Sequence, residues 1–404
     1  MDVRSFRHSP TGRLVAGDDF WAFVPNPLPP QLAQDIELSQ HIAAASQVVT
    51  DLARLSQALP EPQTLVRPFI RREAVFSCRL AGTRVDLTDL CARQADRLAW
   101  PDTSPRTGED DLRAVLNYVA TLEHGLRRVA SAPVNLRFMR ELHAQLYQRQ
   151  TPSEFRMAQN WIGPPGGLTE ATYVPPPVAE MQPALRDLES YLASTAEPKH
   201  HPLVRLAFIH YQLEAIHPFM DGNGRVGRLL ILILLRQWGL LPHPSLPMSV
   251  HFERHQQAYD DHLLAVSRDG DWRAWVLFFL RGVENQARDV IRRTKALRDI
   301  HDTYRARLAH SSHGEGQPRS LGRMQKLVDM LFDTPILTVA GVQDVLEMSL
   351  PNAQRTVQHL VDAGILTPYS MTEGTSGQGG DSQSTEAVHH SAYMAMDVLN
   401  ATVL

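Results

Sequence analysis

One stretch of the chain, residues 217–228, concentrates side chains that could act on a phosphate. It reads His-Pro-Phe-Met-Asp-Gly-Asn-Gly-Arg-Val-Gly-Arg. His217 can accept a proton near neutral pH, because the unperturbed pKa of histidine lies there. Asp221 is a hard oxygen ligand of the kind that holds Mg2+ against nucleotide phosphates. The stretch therefore combines a candidate base with a candidate metal ligand.

The second half of this stretch offers sites for an anion. Gly222, Asn223 and Gly224 allow backbone N–H groups to converge, and a helix that begins just after them adds the positive end of its dipole. Arg225 and Arg228 are three residues apart, so they share one helix face, and their guanidinium groups match phosphate oxygens. Taken alone, an Asp-Gly-Asn-Gly sequence is more often an ordinary turn, and two arginines at a helix start more often lie on a solvent-exposed face. Together, at this spacing, they predict attack on a nucleotide phosphate.

Two apolar helices must hold this stretch in place. Residues 203–216 precede it and residues 229–235 follow it, and both segments are apolar with helical spacing. The polar stretch is therefore predicted to be a loop pinned between two buried helices. Residues 155–177 show no helical period, and their two short extended pieces around a glycine turn predict a hairpin-like flap.

Composition narrows the class of protein. The chain has 404 residues, 43% of them hydrophobic, with a net charge of −4 and two cysteines. At about 150 residues per domain, this length predicts two or three domains. The charge gives no electrostatic footprint for nucleic acid or an anionic membrane. Two cysteines fit a reducing compartment, and neither a signal pattern nor an apolar run near the ~20 residues of a membrane span is present. We expect a soluble cytoplasmic protein without a membrane partner.

Helices dominate the rest of the chain. Residues 1–30 lack a helical period and are expected to be irregular, and a short helix is expected at residues 392–399. The predicted organisation is an N-terminal helical region, a core, a helix end with a linker, and a C-terminal module with a tail; these are residues 1–97, 98–295, 296–320 and 321–404. The fold class is mainly α with a small β-hairpin flap.

The C-terminal module has the element order of a winged helix-turn-helix. Three helices are expected at residues 323–332, 339–346 and 351–363, followed by a strand at 364–367 and a Gly/Ser/Gln-rich wing loop at 372–385. Its third helix brings only Arg355 and His359 as basic side chains. A helix that reads DNA usually carries more cations. DNA is thus a possible partner, but a protein-docking or structural module is favoured.

Residues 217–228 match the signature of the Fic family, His-x-Phe-x-Asp/Glu-Gly-Asn-Gly-Arg-x-x-Arg, at every fixed position. Other stretches also resemble this family: residues 21–30 its N-terminal region, and residues 154–163 with 173–177 its flap. A C-terminal winged helix is a frequent companion of the family. The resemblance extends from about residue 20 to 370 and implies a Fic-type helical core.

What the resemblance implies is transfer of AMP from ATP, with Mg2+, to a Ser, Thr or Tyr hydroxyl of a protein, or of this chain itself. His217 would deprotonate the target hydroxyl, Asp221 would hold Mg2+, and Phe219 would anchor the loop. Three residues would cradle the phosphates, with Asn223 towards the α-phosphate: Gly222, Asn223 and Gly224. Two would hold the β- and γ-phosphates: Arg225 and Arg228. The target would pair with the flap at Thr172, Tyr173 and Val174.

One position departs from the family pattern. Members with such N-terminal helices often carry an inhibitory motif, Ser/Thr-x-x-x-Glu-Gly/Asn, whose glutamate pairs with the second signature arginine. The segment from Ser77 to Gly82 resembles it, but Ala81 occupies the glutamate position. An alanine cannot form the charge-assisted pair with Arg228 that would compete with phosphate. We therefore expect a deregulated enzyme whose main activity is not AMP removal, a reaction that needs this carboxylate in relatives.

Alternatives remain open from the sequence. Ala81 could simply end a helix, and the pattern does not distinguish a natural alanine from an introduced one. The Fic core could sense nucleotide for a DNA-binding regulator. The nucleotide donor could also be one other than ATP, because the motif contains groups that bind phosphates and a metal but none that binds the base.

Overall fold

The structure is a computed structural model that describes residues 1–33, 35–58, 62–99, 109–194, 199–310, 318–370 and 391–403. These residues are mostly helical with small antiparallel sheets, so the predicted mainly α fold is confirmed. In the described part of the chain, no helix is both long and apolar enough to cross a membrane.

The helices differ widely in length. In chain order they are α1 (Val3–Phe6), α2 (Ile36–Gln57), α3 (Pro62–Arg79), α4 (Leu87–Ala99), α5 (Glu109–Val129), α6 (Leu136–Leu146), α7 (Val178–Ala193), α8 (Pro202–Ile216), α9 (Asn223–Gln237), α10 (Met248–Arg254), α11 (Gln256–Asp269), α12 (Trp272–His310), α13 (Pro318–Leu331), α14 (Val339–Leu346), α15 (Leu350–Asp362) and α16 (Met396–Val403). The strands are β1 (Gly12–Ala16), β2 (Trp21–Pro25), β3 (Ile336–Thr338), β4 (Thr367–Ser370) and β5 (Ser391–Met394).

The chain divides into two compact units. The first comprises Met1–Pro60, Phe69–Arg84 and Asp110–Ile291, and the second comprises Glu61–Pro68, Val85–Glu109 and Arg292–Leu404.

The centre of the first unit is the helix pair α8 and α9. Pro202 occupies the first turn of α8, where its missing N–H leaves no bond unmade, and residues 203–216 are almost all buried. Residues 226–235 of α9 are buried on every side. A helix that is apolar all round belongs in the interior of a domain. The prediction of two buried helices flanking a polar loop is confirmed.

The N-terminal residues are more regular than expected. β1 and β2 form an antiparallel hairpin in which Leu14 pairs with Phe23. Phe23 is fully buried and donates its N–H to the Val174 carbonyl at 2.9 Å. The expectation of an irregular segment at residues 1–30 is therefore wrong. Tertiary pairing to a distant segment, which local periodicity does not reveal, orders these strands.

The second unit groups helix α4 with the C-terminal elements. Cys91 and Ala95 of α4 belong to a buried cluster with residues of β3, β5 and α16: Ile336, Ala392, Met394 and Leu399. The sequence boundary at residue 97 had placed this helix in the N-terminal region. Burial of its apolar face against the C-terminal sheet instead makes it part of the second unit.

The C-terminal sheet has the order β3-β5-β4, and both pairings are antiparallel. Residues 391–394 form its central strand, so the helix expected at 392–399 begins later, at Met396. The succession of α13, β3, α14, α15, β4 and β5 has the order of a winged helix-turn-helix, and that name stays a prediction. The expected wing loop, residues 372–385, lies outside the described residues.

Candidate active site

The loop between α8 and α9 is shaped by two residues with positive φ. His217 ends α8 with φ 49°, and its N–H donates to the Leu213 carbonyl at 2.9 Å. Gly222, with φ 81°, caps the start of α9. A non-glycine residue in the left-handed region carries strain that the surroundings must compensate. The backbone therefore holds His217 in a fixed conformation at the mouth of the loop.

One ring nitrogen of His217, Nε2, is unprotonated and can accept a proton. Its Nδ1 lies 3.2 Å from the Glu214 carbonyl, which can only accept, so Nδ1 carries the proton and Nε2 keeps its lone pair. Burial lowers the pKa of His217 to about 4. The imidazole is therefore neutral at physiological pH, in the tautomer that a general base needs.

Asn223 and Phe219 close the loop on themselves. The Asn223 side chain accepts the Phe219 N–H and donates to the Phe219 carbonyl, each at 2.8 Å, and Asn223 is only 2% exposed. The Phe219 ring is buried and stacks on His143 with 4.0 Å between centroids. The Phe219 side chain is therefore buried, as the expected role of anchoring the loop requires. The expectation that Asn223 faces the α-phosphate does not match this geometry for its side chain, which braces the loop.

The segment at residues 156–160 supports the same loop from its other side. Arg156 donates from its backbone N–H to the Pro218 carbonyl at 2.8 Å and from Nε to the His217 carbonyl at 3.0 Å. Asn160 donates to the Phe219 carbonyl at 2.9 Å. Burial lowers the pKa of Arg156 to about 10, so it remains charged at neutral pH. The loop that carries His217 is therefore rigidly held.

The first turn of α9 presents backbone donors. Val226 donates its N–H to the Gly222 carbonyl at 3.0 Å, and the N–H groups of Asn223, Gly224 and Arg225 before it have no acceptor within the helix. A Cβ at Gly224 would approach Arg228 Nη1 to 2.7 Å. The lack of a side chain at Gly224 therefore leaves room for the guanidinium of Arg228. This helix N-terminus offers the kind of donors that an anion site requires, and the cradle at residues 222–224 stays a prediction.

Asp221 lies in a small polar network with two neighbours. Its Oδ1 accepts the Gly222 N–H at 2.6 Å, and its Oδ2 accepts from Arg225 Nη2 at 3.2 Å and from the Tyr147 hydroxyl. Partial burial acts to raise the pKa of Asp221, but the bond from Tyr147 and the charge of Arg225 bring it below its ordinary value. The side chain is ionised at neutral pH and 77% exposed. It can be reached by a ligand.

A magnesium ion fits this site only in company with phosphates. Among the described residues, no group of three or more His, Cys, Asp or Glu could hold a metal. Mg2+ is commonly bound through one or two carboxylates together with substrate phosphate oxygens. The accessible Asp221 carboxylate beside the start of α9 meets that requirement.

Arg228 is engaged by helix α3. Its Nε donates to the Ser77 hydroxyl at 2.8 Å and its Nη2 donates to the Ser77 carbonyl at 2.9 Å. The guanidinium is 5% exposed. From the sequence, we expected Arg228 to be free to bind phosphate, because position 81 lacks a carboxylate. In the structure Ser77, one turn earlier, holds it instead.

Ala81 and Gly82 form the exposed turn that follows α3. Ala81 donates its N–H to the Cys78 carbonyl at 2.9 Å, and Gly82 has φ 99° with open space around its Cα. The turn is a helix C-terminus of the usual glycine type. Room for a longer side chain is present at this turn.

The predicted docking residues of the flap lie in different environments. Tyr173 is buried, and its hydroxyl donates to the Ala215 carbonyl at 2.9 Å; Val174 is buried as well. Only Thr172 is exposed. The flap itself is a single antiparallel bridge between Ile162 and Tyr173 rather than a pair of strands. Side-chain contacts of Tyr173 or Val174 with a target do not fit this burial.

Several residues at the site had no signal in the sequence. Tyr147 follows α6 and bonds Asp221, while His143 bonds the Asp221 carbonyl through Nε2 at 2.9 Å. Glu214 is half-buried, and desolvation raises its pKa to about 7 while the charge of Arg228 opposes that rise. Its Oε1 has no hydrogen-bond partner among the described residues. A polar side chain within an apolar helix, as in 142–144 or 213–215, is the only hint that the sequence offers.

A buried carboxylate fixes α3 to the rest of the first unit. Glu73 accepts from the Tyr118 hydroxyl at 3.0 Å, the Ser249 N–H at 2.9 Å and the Ser249 hydroxyl at 2.5 Å. Burial raises the pKa of Glu73, and the charge of Arg228 opposes that rise. The helix that holds Arg228 is thus itself anchored by a satisfied polar network.

Comparisons with known proteins match two stretches of this chain to one family. The Fic/DOC family matches residues 133–235, and the Fic/DOC family N-terminal region matches residues 39–127. Protein adenylyltransferase Fic of Drosophila grimshawi is 31% identical over 153 residues, which are 37% of this chain and 29% of that protein. Its counterpart from Aedes aegypti is 32% identical over 148 residues, 36% of this chain and 27% of that protein. The matched stretch thus spans less than a third of these relatives.

A solved structure shares the fold across most of the chain. A Fic family protein from Desulfovibrio desulfuricans G20 superposes with a TM-score of 0.55 and 18% identity, and the match covers 91% of this chain and 98% of that one. At this identity the likeness concerns the fold alone. The complete signature at residues 217–228 lies within the stretch that matches the Fic/DOC family, so residues 133–235 of this chain are a Fic/DOC domain.

Proposed function

We propose that the chain transfers AMP from ATP to a hydroxyl group of a protein. The observation that supports this most strongly is His217, a neutral imidazole with a free Nε2 that lies in one short loop with the donors of the α9 N-terminus. The matched relatives are named protein adenylyltransferases. A base beside an anion cradle is what attack of a hydroxyl on a phosphate requires.

The proposed reaction is an in-line displacement at the α-phosphorus. Nε2 of His217 takes the proton of the target hydroxyl, whose oxygen forms a bond to the α-phosphorus. The bond from the α-phosphorus to the oxygen that bridges to the β-phosphate breaks, and pyrophosphate leaves. His217 then gives its proton to solvent. The rigid support of the loop by Arg156 and Asn160 keeps the base in place.

The chain's own groups bind the leaving pyrophosphate and the donor. Backbone N–H groups at residues 223–225 face the phosphates, and Arg225 and Arg228 supply positive charge. Asp221 would hold Mg2+, which would neutralise negative charge on the phosphates. Arg228 must exchange its bonds to Ser77 for bonds to phosphate when ATP binds. This exchange makes Ser77 part of the proposed regulation.

The absence of a carboxylate at position 81 supports a weak form of inhibition. Ser77 offers Arg228 only a neutral hydroxyl and a carbonyl. Both kinds of bond involve the charged guanidinium, but a glutamate would add the attraction of its own negative charge. A phosphate can therefore displace the Ser77 acceptors more easily than it could displace a glutamate. We therefore infer that the enzyme binds ATP productively without an activating partner.

Target docking is proposed at the exposed part of the flap. Thr172, Trp161 and Ile162 are exposed there, with Trp161 at 39%. The strand-like segment at residues 172–174 already pairs with Ile162 on one side and with Phe23 on the other. A target would therefore align along residues 161–163, where the side chains of Trp161 and Ile162 are exposed.

Labelled ATP tests the reaction directly. The purified chain is incubated with a cell lysate, Mg2+ and ATP carrying the label in either the α- or the γ-phosphate. AMP transfer predicts covalent label from the α-position only, and none with the His217→Ala variant. Label from the γ-position would indicate phosphoryl transfer instead. Equal labelling with His217→Ala would contradict the proposal.

A further inference from the structure

Tyr147 is a residue that the signature does not contain and that the proposed reaction has not used. It follows helix α6, and its hydroxyl lies at the junction of Asp221 and Arg225. We propose that Tyr147 is a positioning residue that orients the Asp221 carboxylate for Mg2+ and limits its pairing with Arg225. This inference rests on the proposed function, because it concerns the metal and the phosphates of the same site.

The hydroxyl of Tyr147 serves both neighbours at once. It donates to Asp221 Oδ2 and accepts from Arg225 Nη2 at 2.6 Å. A hydroxyl has one donor and two acceptor positions, so both bonds can form together. The Arg225 guanidinium also lies over the Tyr147 ring, 5.1 Å from its centroid. One side chain thereby fixes the positions of an anion and a cation.

The loop is shaped around this hydroxyl. A Cβ at Gly222 would approach the Tyr147 hydroxyl to 3.0 Å, so a glycine at this position leaves the space that the hydroxyl occupies. The ring packs beside His143, with 4.8 Å between centroids, and His143 holds the carbonyl of Asp221. Two residues from the end of α6 therefore grip Asp221 at two points, its carboxylate and its carbonyl.

Removal of the hydroxyl has a defined consequence. Asp221 Oδ2 already lies 3.2 Å from Arg225 Nη2. Without Tyr147, the carboxylate and the guanidinium would pair with each other more closely. Each would then be less available to its ligand, the metal in one case and a phosphate in the other. Loss of a partner that orients a metal ligand typically weakens metal affinity about 10–100-fold.

A Tyr147→Phe variant tests this role, because it keeps the ring over Arg225 and removes only the hydroxyl. Calorimetry would measure binding of a non-hydrolysable ATP analogue with Mg2+ and, separately, with EDTA. We expect affinity with Mg2+ to fall about 10-fold. Affinity with EDTA should fall by a smaller factor, because only the contact of Arg225 with phosphate is weakened there. The Mg2+ concentration for half-maximal AMP transfer should rise by a similar factor.

Tyr191→Phe provides a matched control. Tyr191 also stacks with an arginine, Arg205, at 5.3 Å, but on helix α7 and apart from the loop at residues 217–228. This variant should bind the analogue as the unaltered protein does. If the unaltered protein shows a Mg2+ dependence that Tyr147→Phe keeps in full, the role of Tyr147 is wrong and the proposed function stands. If the unaltered protein binds equally with Mg2+ and EDTA, the metal role of Asp221 fails and the inference falls with it.

Discussion

Arg228 donates two hydrogen bonds to Ser77, one to its hydroxyl at 2.8 Å and one to its carbonyl at 2.9 Å. Both residues are buried. The second signature arginine is therefore occupied by helix α3 although position 81 carries no carboxylate. Because the same arginine is proposed to bind phosphate, the Ser77 contact and ATP compete for one guanidinium group.

Loss of the Ser77 hydroxyl should favour ATP in this competition. In Ser77→Ala the carbonyl still accepts from Arg228, while Nε loses its partner. A hydrogen bond to a charged group contributes about 1.5–3 kcal/mol. We expect the affinity for an ATP analogue to rise about threefold or more, with ADP affinity unchanged, as measured by calorimetry.

The Ser77→Ala variant should also unfold more readily by about 1–3 kcal/mol, because a buried donor is left unpaired. Ser190→Ala is a suitable control, since the Ser190 hydroxyl donates to the Arg186 carbonyl of its own helix. Equal gains for ATP and ADP would contradict competition at the γ-phosphate.

A carboxylate at position 81 should restore stronger inhibition. Ala81 is exposed at this turn, so the longer side chain of Ala81→Glu can be accommodated. A charge-assisted bond to Arg228 would add about 1.5–3 kcal/mol to the competing interaction. AMP incorporation should fall at least 10-fold, measured with labelled ATP under identical conditions.

The neutral variant Ala81→Gln separates charge from bulk at the same position. It should reduce AMP incorporation far less than Ala81→Glu. Equal rates for Ala81→Glu and the unaltered protein would exclude position 81 from regulation.

The sequence predicted those parts of the candidate site that depend on local sequence patterns. Two apolar runs flank residues 217–228, and a segment with glycines between such runs can only be a loop that ends in a helix start. What the sequence could not predict are contacts across long separations. Ser77 and Arg228 are 151 positions apart, and Tyr147 and Asp221 are 74 positions apart. No periodicity in a single sequence carries such distances.

The misplaced elements have the same physical origin. Residues 391–394 read locally as the start of a helix, yet they form a strand because β3 and β4 pair with both of their edges. Helix α4 is amphipathic wherever it is placed, and only the partner for Cys91 and Ala95 decides its unit. Tertiary pairing overrides local preference in both cases.

On acidification, kcat/KM should fall only at a pH well below the usual pKa of histidine. Burial lowers the pKa of His217 to about 4, so the free enzyme keeps a neutral base down to that pH. We expect kcat/KM, measured by AMP incorporation, to be flat from about pH 5.5 to 7.5 and to fall as the pH drops through about 4. A midpoint near 6.5 would show that His217 titrates as if exposed.

The same burial gives a stability effect with a definite sign. The unfolded His217 binds a proton below about pH 6.5, while the folded one does so only below about 4. The unfolded state therefore binds more protons between these values, and the free energy of unfolding falls as the pH drops through this window. Circular dichroism at each pH should accompany the rate measurements, so that unfolding is not mistaken for loss of the base.

Docking through the exposed part of the flap predicts a selective effect on the target. In Trp161→Ala, the exposed indole is lost, and the target concentration for half-maximal labelling should rise severalfold. Binding of an ATP analogue should not change, because Trp161 lies in the flap and its indole N–H donates to the Pro164 carbonyl there. Tyr173→Phe is the contrasting variant: it loses a buried bond to the Ala215 carbonyl and should lower the unfolding free energy by about 1 kcal/mol. A weaker effect of Trp161→Ala than of Tyr173→Phe on target use would contradict docking at this edge.

Gly222 should tolerate no side chain, for two separable reasons. Its φ of 81° disfavours any residue with a Cβ by about 1–2 kcal/mol, and that Cβ would also approach the Tyr147 hydroxyl to 3.0 Å. Gly239 has a similar φ of 70° but open space around it. Gly222→Ala and Gly239→Ala should therefore both lower the unfolding free energy in thermal denaturation, and Gly222→Ala should lower it more. Only Gly222→Ala should also reduce AMP transfer, by about 10-fold or more, because it displaces the hydroxyl that positions Asp221. Equal activity of the two variants would show that backbone strain alone, and not the contact with Tyr147, determines the requirement for glycine.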